Sequence, residues 1–275
     1  MSSPTRPVLR YFGGKWKLAP WIIQQLPPHK MYVEPFGGAA SVLLRKQRVL
    51  NEVYNDLDEN VVNIFRILRD QEQANELCKL CYLTPFSRED FEQSYSPIDE
   101  PLEKARRFIV RSFFGYGSKA SSDTSMNGFR SRRKNSGTPA VDWRNSPDVI
   151  PAFAERLRGV VIEKVEATEV LWRYDAPDTL FYVDPPYVHG TRSMGKAKYY
   201  YELTDEDHSQ LAAKLNEVEG MVALSGYNCE LYQDIYKGWH KITRTHYAEQ
   251  ARQRVECLWL SPKAYEKRGG LLNVA

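Results

Sequence analysis

The run Phe181-Tyr182-Val183-Asp184-Pro185-Pro186-Tyr187 is the point from which the rest of the sequence is ordered. Its apolar, aromatic and β-branched beginning, 180–183, predicts a buried strand. The strand stops at a carboxylate, two prolines and a tyrosine. Consecutive prolines donate no N–H and fix φ, so neither a sheet ladder nor a helix continues through them. The backbone beyond Asp184 is therefore stiff, and its carbonyls are left as acceptors. Asp184 falls at the carboxyl end of a strand, where ligands bind in open α/β sheets. Acceptor oxygens next to the flat face of Tyr187 suit an amino group on a planar ring. The plainer reading is a strand that ends in a Pro-Pro turn with a surface tyrosine.

Upstream, Met31-Tyr32-Val33-Glu34 predicts another strand, followed by Pro35-Phe36-Gly37-Gly38 and a helix over 41–48. Strand, glycine turn and helix make the nucleotide-binding opening of an α/β domain. The dinucleotide pattern G-x-G-x-x-G is absent. The next strand, 52–55, ends at Asp56, about 20 residues beyond Gly37, where a carboxylate accepts ribose hydroxyls. Asp56 or Asp58 can equally cap the helix that follows. Before these elements, Gly13-Gly14-Lys15 supplies paired glycines that let the backbone approach a ligand. Taken alone, it is as consistent with a simple loop. A helix is predicted over 18–25.

Between residues 68 and 148 helical patterns dominate, over 71–82, 88–94 and 101–114, and a Gly-, Ser- and Asn-rich loop follows over 115–139. Lys104, Arg106, Arg107, Arg111, Lys119, Arg130, Arg132, Arg133 and Lys134 fall in this segment, and between Lys104 and Lys134 only Asp123 opposes them. The aromatics Phe113, Phe114, Tyr116 and Phe129 are interleaved with them. The formal charge of the whole 275-residue chain is only +3, so the positive charge is concentrated here. Such a segment suits a nucleic-acid surface, with Arg111, Lys119, Arg130, Arg132, Arg133 and Lys134 as candidate DNA contacts. A solvated helix face with a loop is the competing account.

The α/β pattern then resumes, with strands predicted at 160–163 and 221–225, a terminal pair at 242–245 and 256–260, and a capping box at Thr204-Asp207. The Gly-rich, basic stretch 188–198 reads as a mobile loop beside the site. The predicted fold is therefore α/β, a Rossmann-like sheet split by an inserted, mainly helical unit: 1–67 and 149–275 form the catalytic domain and 68–148 the insertion. At 42% hydrophobic and 27% charged, the chain can bury a full core. Neither a signal peptide nor an apolar run of the ~20 residues needed to span a bilayer is present. A soluble, cytoplasmic protein is expected (the host cytoplasm, if phage-encoded). Cys78 and Cys81 form a C-x-x-C pair with no His or second pair nearby; neighbouring positions on one helix face are the expectation, and no metal.

In this order the motifs resemble those of the Dam-like N6-adenine DNA methyltransferases of the alpha group, along nearly the whole chain. The resemblance is carried by Tyr11-Phe12-Gly13-Gly14-Lys15, Val33-Glu34-Pro35-Phe36-Gly37-Gly38, Asn55-Asp56, the variable segment, Asp184-Pro185-Pro186-Tyr187, Leu224-Ser225-Gly226-Tyr227, and the late Arg252 with Glu256. It implies S-adenosylmethionine as methyl donor and double-stranded DNA as substrate, the insertion choosing the DNA sequence. By position Tyr11, Lys15 and Asp56 contact the donor, the turn Pro35 to Gly38 passes beside it, and Asp184 lies between donor and base. Where relatives often have Asp reading the donor's adenine amine, this chain has Glu166.

The chemistry of the residues agrees with that implication. Adenine's exocyclic amine is a poor nucleophile because its lone pair is delocalised. Asp184 and the Pro185 carbonyl can hold its two hydrogens, Pro186 stiffens the turn, and Tyr187 stacks on a base that has left the duplex. A sulfonium is already a strong electrophile, so no metal is required. The alternatives are a methyltransferase acting on RNA or a protein amide, and a catalytically silent DNA-binding module. A restriction endonuclease is a candidate functional partner.

Overall fold

The computed structural model describes residues 4–11, 13–116, 128–131, 139–191, 201–247 and 253–272. Seven strands, β1 (Met31–Glu34), β2 (Asn51–Asn55), β3 (Val160–Glu163), β4 (Thr179–Val183), β5 (Met221–Gly226), β6 (His240–Tyr247) and β7 (Gln253–Leu260), form one sheet. The order is β3-β2-β1-β4-β5-β7-β6. β1 to β5 run parallel, and β7 is antiparallel to both β5 and β6. The order reverses between β1 and β4, which opens a crevice at their carboxyl ends. Glu34 and Asp184, the residues that end β1 and follow β4, face that crevice. This is the Rossmann-like α/β sheet expected from the sequence.

The helices are α1 (Ala19–Gln25), α2 (Glu59–Leu68), α3 (Gln71–Leu83), α4 (Arg88–Gln93), α5 (Pro101–Phe114), α6 (Pro139–Arg144), α7 (Ile150–Leu157), α8 (Ala167–Tyr174), α9 (Asp205–Glu217), α10 (Glu230–Ile235) and α11 (Pro262–Leu272). Neighbouring strand residues point to opposite faces, and each face has its own core. Tyr32, Tyr54, Leu180 and Tyr182 pack with apolar residues of α1 to α3, α5 and α7. Val33, Val53, Phe181 and Val183 pack with those of α8, α9 and α10. Among the described residues the helices between β2 and β3 share the core of the sheet: Leu77, Phe108, Phe114 and Trp143 belong to the same cluster as Tyr32 and Tyr54. Among the described residues no helix is long and apolar enough to cross a membrane.

Two local expectations are settled. Asp58, not Asp56, caps α2, accepting from the Asn60 amide at 2.9 Å. Thr204 and Asp207 make the reciprocal capping box at the start of α9. One expectation is corrected: the segment 41–48 is a run of turns rather than a helix. The Leu43 N–H donates to Glu34 Oε1 at 2.8 Å and the Leu43 carbonyl accepts from Arg156 Nη2 at 2.5 Å. Arg156 thus takes the carbonyl that the second turn of a helix would use, while Glu34 satisfies an N–H that the first turn would leave free. The i→i−4 bonds of Leu44 to Ala40 and Lys46 to Val42 do not extend into a ladder. Ala40, with φ of 50°, breaks the start of the segment.

Cys78 and Cys81 lie on α3, Cys81 buried and Cys78 donating to the Pro147 carbonyl. Burial pushes the Cys81 thiol up to about 12, which makes it a packing residue.

Candidate active site

The crevice holds a cavity of 340 Å³, within the size range of small-molecule sites. Tyr11, Lys15, Pro35, Phe36, Gly37, Gly38, Asp56, Glu166, Asp184 and Pro186 all line it. Every residue expected at the donor site therefore meets in one space, although they come from the N-terminal loop and from the ends of β1, β2, β3 and β4. Pro185 and Tyr187 are not in the lining.

The sheet delivers these groups, and a few side chains fix them. Asn55, buried at the end of β2, donates to the carbonyls of Pro35 and Val165 at 2.9 and 3.0 Å and accepts from the Val165 amide at 2.9 Å. One amide thereby ties together the turns after β1, β2 and β3. Asp56 accepts from the amides of Gly38 at 2.7 Å and Asp58 at 2.8 Å. Each carboxylate oxygen has a second lone pair, so those bonds leave acceptor capacity. Burial raises the Asp56 carboxyl to about 6 against the pull of those amides. Tyr54 donates to the Gly38 carbonyl at 2.7 Å and packs its ring under Gly37.

At the end of β4, Lys15 Nζ is 2.9 Å from Asp184 Oδ1. The same ammonium donates to the Gly13 carbonyl at 3.0 Å and stands 4.6 Å from the centre of the Tyr187 ring. Burial raises the Asp184 pKa, and Lys15 and Tyr187 partly offset it. Tyr187 is only 7% exposed, its ring held against that of Tyr227 with centroids 4.8 Å apart and nearly perpendicular planes. Its hydroxyl donates to Glu256, a bond for which sequence reasoning had no role.

Glu166 stands at the N-terminus of α8 with its side chain exposed. Sequence reasoning did not single out Glu34 as a site residue, nor Tyr182, Leu203, Asp207, Gln210 and Leu211, which are also part of the wall. Glu34 carried a signal, since it ends β1 as Asp184 follows β4. The α9 residues carried none, because Leu211 reads as ordinary helix packing. Burial pushes the Glu34 carboxyl up to about 8 while it accepts from Tyr32 and Leu43.

The basic candidates are placed differently. Arg130 is 8% exposed, pairs with Asp142 at 3.0 Å and is braced by its own amide on the Phe114 carbonyl. Arg111 packs its guanidinium 5.4 Å from the rings of Tyr95 and Phe108, and burial lowers its pKa. Arg106 and Arg107 clasp Glu103. Lys119, Arg132, Arg133 and Lys134 lie outside the described residues, as do Phe12, Arg252 and positions 192–198. Of the interleaved aromatics, Phe113 and Phe114 are buried and Phe129 packs on Phe86 and Phe91, whereas Tyr116 is 66% exposed. Most of that aromatic pattern is core.

The chain matches the family model for D12 class N6 adenine-specific DNA methyltransferases over residues 11–253. It belongs to that family. Its sequence is similar to DNA adenine methylases of Vibrio cholerae (24% identical, covering 85% of both chains) and Salmonella typhi (22%, covering 90% of this chain and 88% of the other). That of Escherichia coli strain K12 is similar at 24%, covering 90% and 88%. Among solved structures, a SAM-dependent methyltransferase from Agrobacterium tumefaciens covers 89% of this chain and 59% of its own, at 7% identity and a TM-score of 0.35. A likeness that distant adds no weight to the strand order. For a D12-class enzyme the match runs from the N-terminal loop through β6 and includes the helices between β2 and β3, so the cavity residues and the Asp184 turn fall within one family pattern.

Proposed function

We propose that the protein methylates N6 of adenine in double-stranded DNA, with S-adenosylmethionine as donor and Asp184-Pro185-Pro186-Tyr187 as the reacting turn. One observation carries this reading: Asp184 lines the same cavity as Tyr11, Lys15, Gly37, Gly38 and Asp56. The residues fit the donor's chemistry. Asp56 has acceptor capacity for ribose hydroxyls. Glu166, exposed at the rim, suits an adenine amine, and the carboxylates of Asp56 and Asp184 favour a cation. When bound, S-adenosylmethionine supplies a methyl group on a positively charged sulfur.

The chain's own residues do the rest. Asp184 and the Pro185 carbonyl accept the two amine hydrogens and hold them so that the nitrogen lone pair leaves conjugation with the ring and is free to take up the methyl group. The Asp184 charge opposes the cationic nitrogen that forms, in a site buried enough to strengthen that interaction. Lys15, 2.9 Å from Asp184, favours its ionised form and partly offsets the effect of burial. Adenine N6 is unreachable inside a duplex, so the base leaves the stack and Tyr187 supports it. The segment 68–148 is the target-recognition unit, with Lys119, Arg132, Arg133 and Lys134 as its contacts to DNA. The enzyme works in the cytoplasm, alone or paired with a restriction endonuclease.

The test is mass spectrometry of nucleosides from duplex DNA treated with purified protein and S-adenosylmethionine, without added metal. N6-methyladenine is expected. N4-methylcytosine alone, product only on RNA, or none across varied sequences overturns the reading. Asp184→Asn keeps an acceptor oxygen but loses the charge, and should slow single-turnover methylation by about 10²–10³, as removal of a preorganised oxyanion-hole partner does.

A further inference from the structure

We infer that Glu256 is a positioning residue for methyl transfer, acting through the hydroxyl of Tyr187; the inference rests on the function proposed above. β7 is antiparallel to β5, with Cys257 opposite Gly226. Its first residues therefore enter the sheet at the edge where β1 to β5 end, and Glu256 arrives beside Tyr227 and the Asp184 turn. Glu256 is 2% exposed. Its Oε1 accepts from the Tyr187 hydroxyl and lies 3.8 Å from Lys15 Nζ.

A buried carboxylate is costly, and an apolar side chain of similar size would fill this position more cheaply if packing were its only task. What Glu256 adds is direction. The Tyr187 ring is held on its edge by Tyr227 and faced by the Lys15 ammonium, and neither contact fixes where the hydroxyl end points. The hydroxyl's bonds do: it donates to Glu256 and also interacts with the Asp184 side chain. They set the ring plane at the end of a turn whose prolines already restrict the backbone, and so fix the surface against which the target base rests. Lys15 joins the two carboxylates: it pairs with Asp184 at 2.9 Å and approaches Glu256 at 3.8 Å. The amine acceptor and the ring anchor thus share one cation.

The experiment is a double-mutant cycle in the full-length protein, read as single-turnover methylation of a duplex, with 2-aminopurine at the target position in a parallel series. Glu256→Leu removes the acceptor and should slow transfer by about tenfold, the scale of a small misplacement, with donor affinity held. Tyr187→Phe should do at least as much. It also removes the hydroxyl's interaction with Asp184, so it is the worse single variant. The double variant should be no more than about twofold slower than it, because the bond that Glu256→Leu breaks is already gone. Glu256→Gln keeps an acceptor oxygen and should restore most of the rate, which a purely structural carboxylate would not predict for a variant of unchanged thermal stability. If Glu256→Leu fails to fold, the comparison of Glu256→Gln with Tyr187→Phe still decides. Additive losses, a wild-type rate in Glu256→Leu, or Glu256→Gln as slow as Tyr187→Phe each overturn the inference. A wild-type protein that makes no N6-methyladenine overturns the functional reading itself and is told apart by that first arm.

Discussion

Glu34 ends β1 inside the cavity wall, and its burial has a consequence for stability. Its carboxyl is raised from 4.5 to about 8, desolvation being the main cause, while bonds from Tyr32 and Leu43 pull the other way. A carboxyl whose folded pKa lies above the unfolded one binds its proton more tightly when folded. Its contribution is therefore fully present below about 4.5 and is lost as pH rises through about 8. Glu34→Gln keeps the shape and an acceptor but cannot ionise. The wild-type melting temperature should fall more steeply than that of Glu34→Gln between about pH 5 and pH 8, and the two curves should run parallel above that. Asp56 shifts in the same direction but is common to both proteins, so it cancels in the difference. Calorimetric curves that are parallel throughout would show that Glu34 stays ionised in the fold.

The glycine turn between β1 and β2 shows what an element-level reading of sequence reaches. The strands on either side were legible, because alternating Tyr32 and Val33 must face two different cores. The turn's place beside the cavity was legible as well. Its reason was only half so. A Cβ on Gly37 would stand 2.1 Å from the Tyr54 ring, so the residue is required by the packing of β2 and not only by room for a ligand. Gly37→Ala should therefore destabilise the protein by about 1–3 kcal/mol, the range for overpacked sites, whether or not donor is present. Urea unfolding checks this; an unchanged midpoint would mean that Tyr54 moves freely, although its hydroxyl is tied to Gly38. The absence of a helix over 41–48 was not legible, because Arg156 reaches Leu43 from 113 residues away. The bond from Tyr187 to Glu256 was hidden for the same reason, since 69 residues separate the partners. Local periodicity carries no record of such pairings, whereas residues at strand ends, such as Asp184 and Asp56, inherit their place from the strand itself.

For the whole molecule, charge and core divide the insertion in a way that composition alone conceals. The stretch from Lys104 to Lys134 reads as basic, yet the helices around it share one hydrophobic cluster with the sheet, and several of its cations are committed inward. Phe114 is buried in that shared cluster, so Phe114→Ala should cost about 3–5 kcal/mol and lower a single thermal transition of the entire chain. Two separated transitions would mean that the insertion unfolds by itself. The same division predicts opposite behaviour for arginines that are neighbours in sequence. The Arg130 guanidinium is held by Asp142, whereas its backbone bond to the Phe114 carbonyl survives substitution, so Arg130→Ala should lose about 1.5–3 kcal/mol of stability, the range for a hydrogen bond to a charged group, and leave the salt dependence of DNA binding unchanged. Arg132, Arg133 and Lys134 follow immediately as the proposed phosphate partners. Replacing each with alanine should weaken binding to every duplex and flatten the slope of log affinity against log salt by roughly 0.9 for each phosphate no longer neutralised. If one of them reads a base instead, its replacement should relax discrimination at a single position by about 1–3 kcal/mol with the slope nearly kept. Fluorescence anisotropy across a salt series, run beside thermal melts of the same variants, measures both quantities. A flattened slope for Arg130→Ala, with no loss of stability, would place its guanidinium on DNA and not on Asp142.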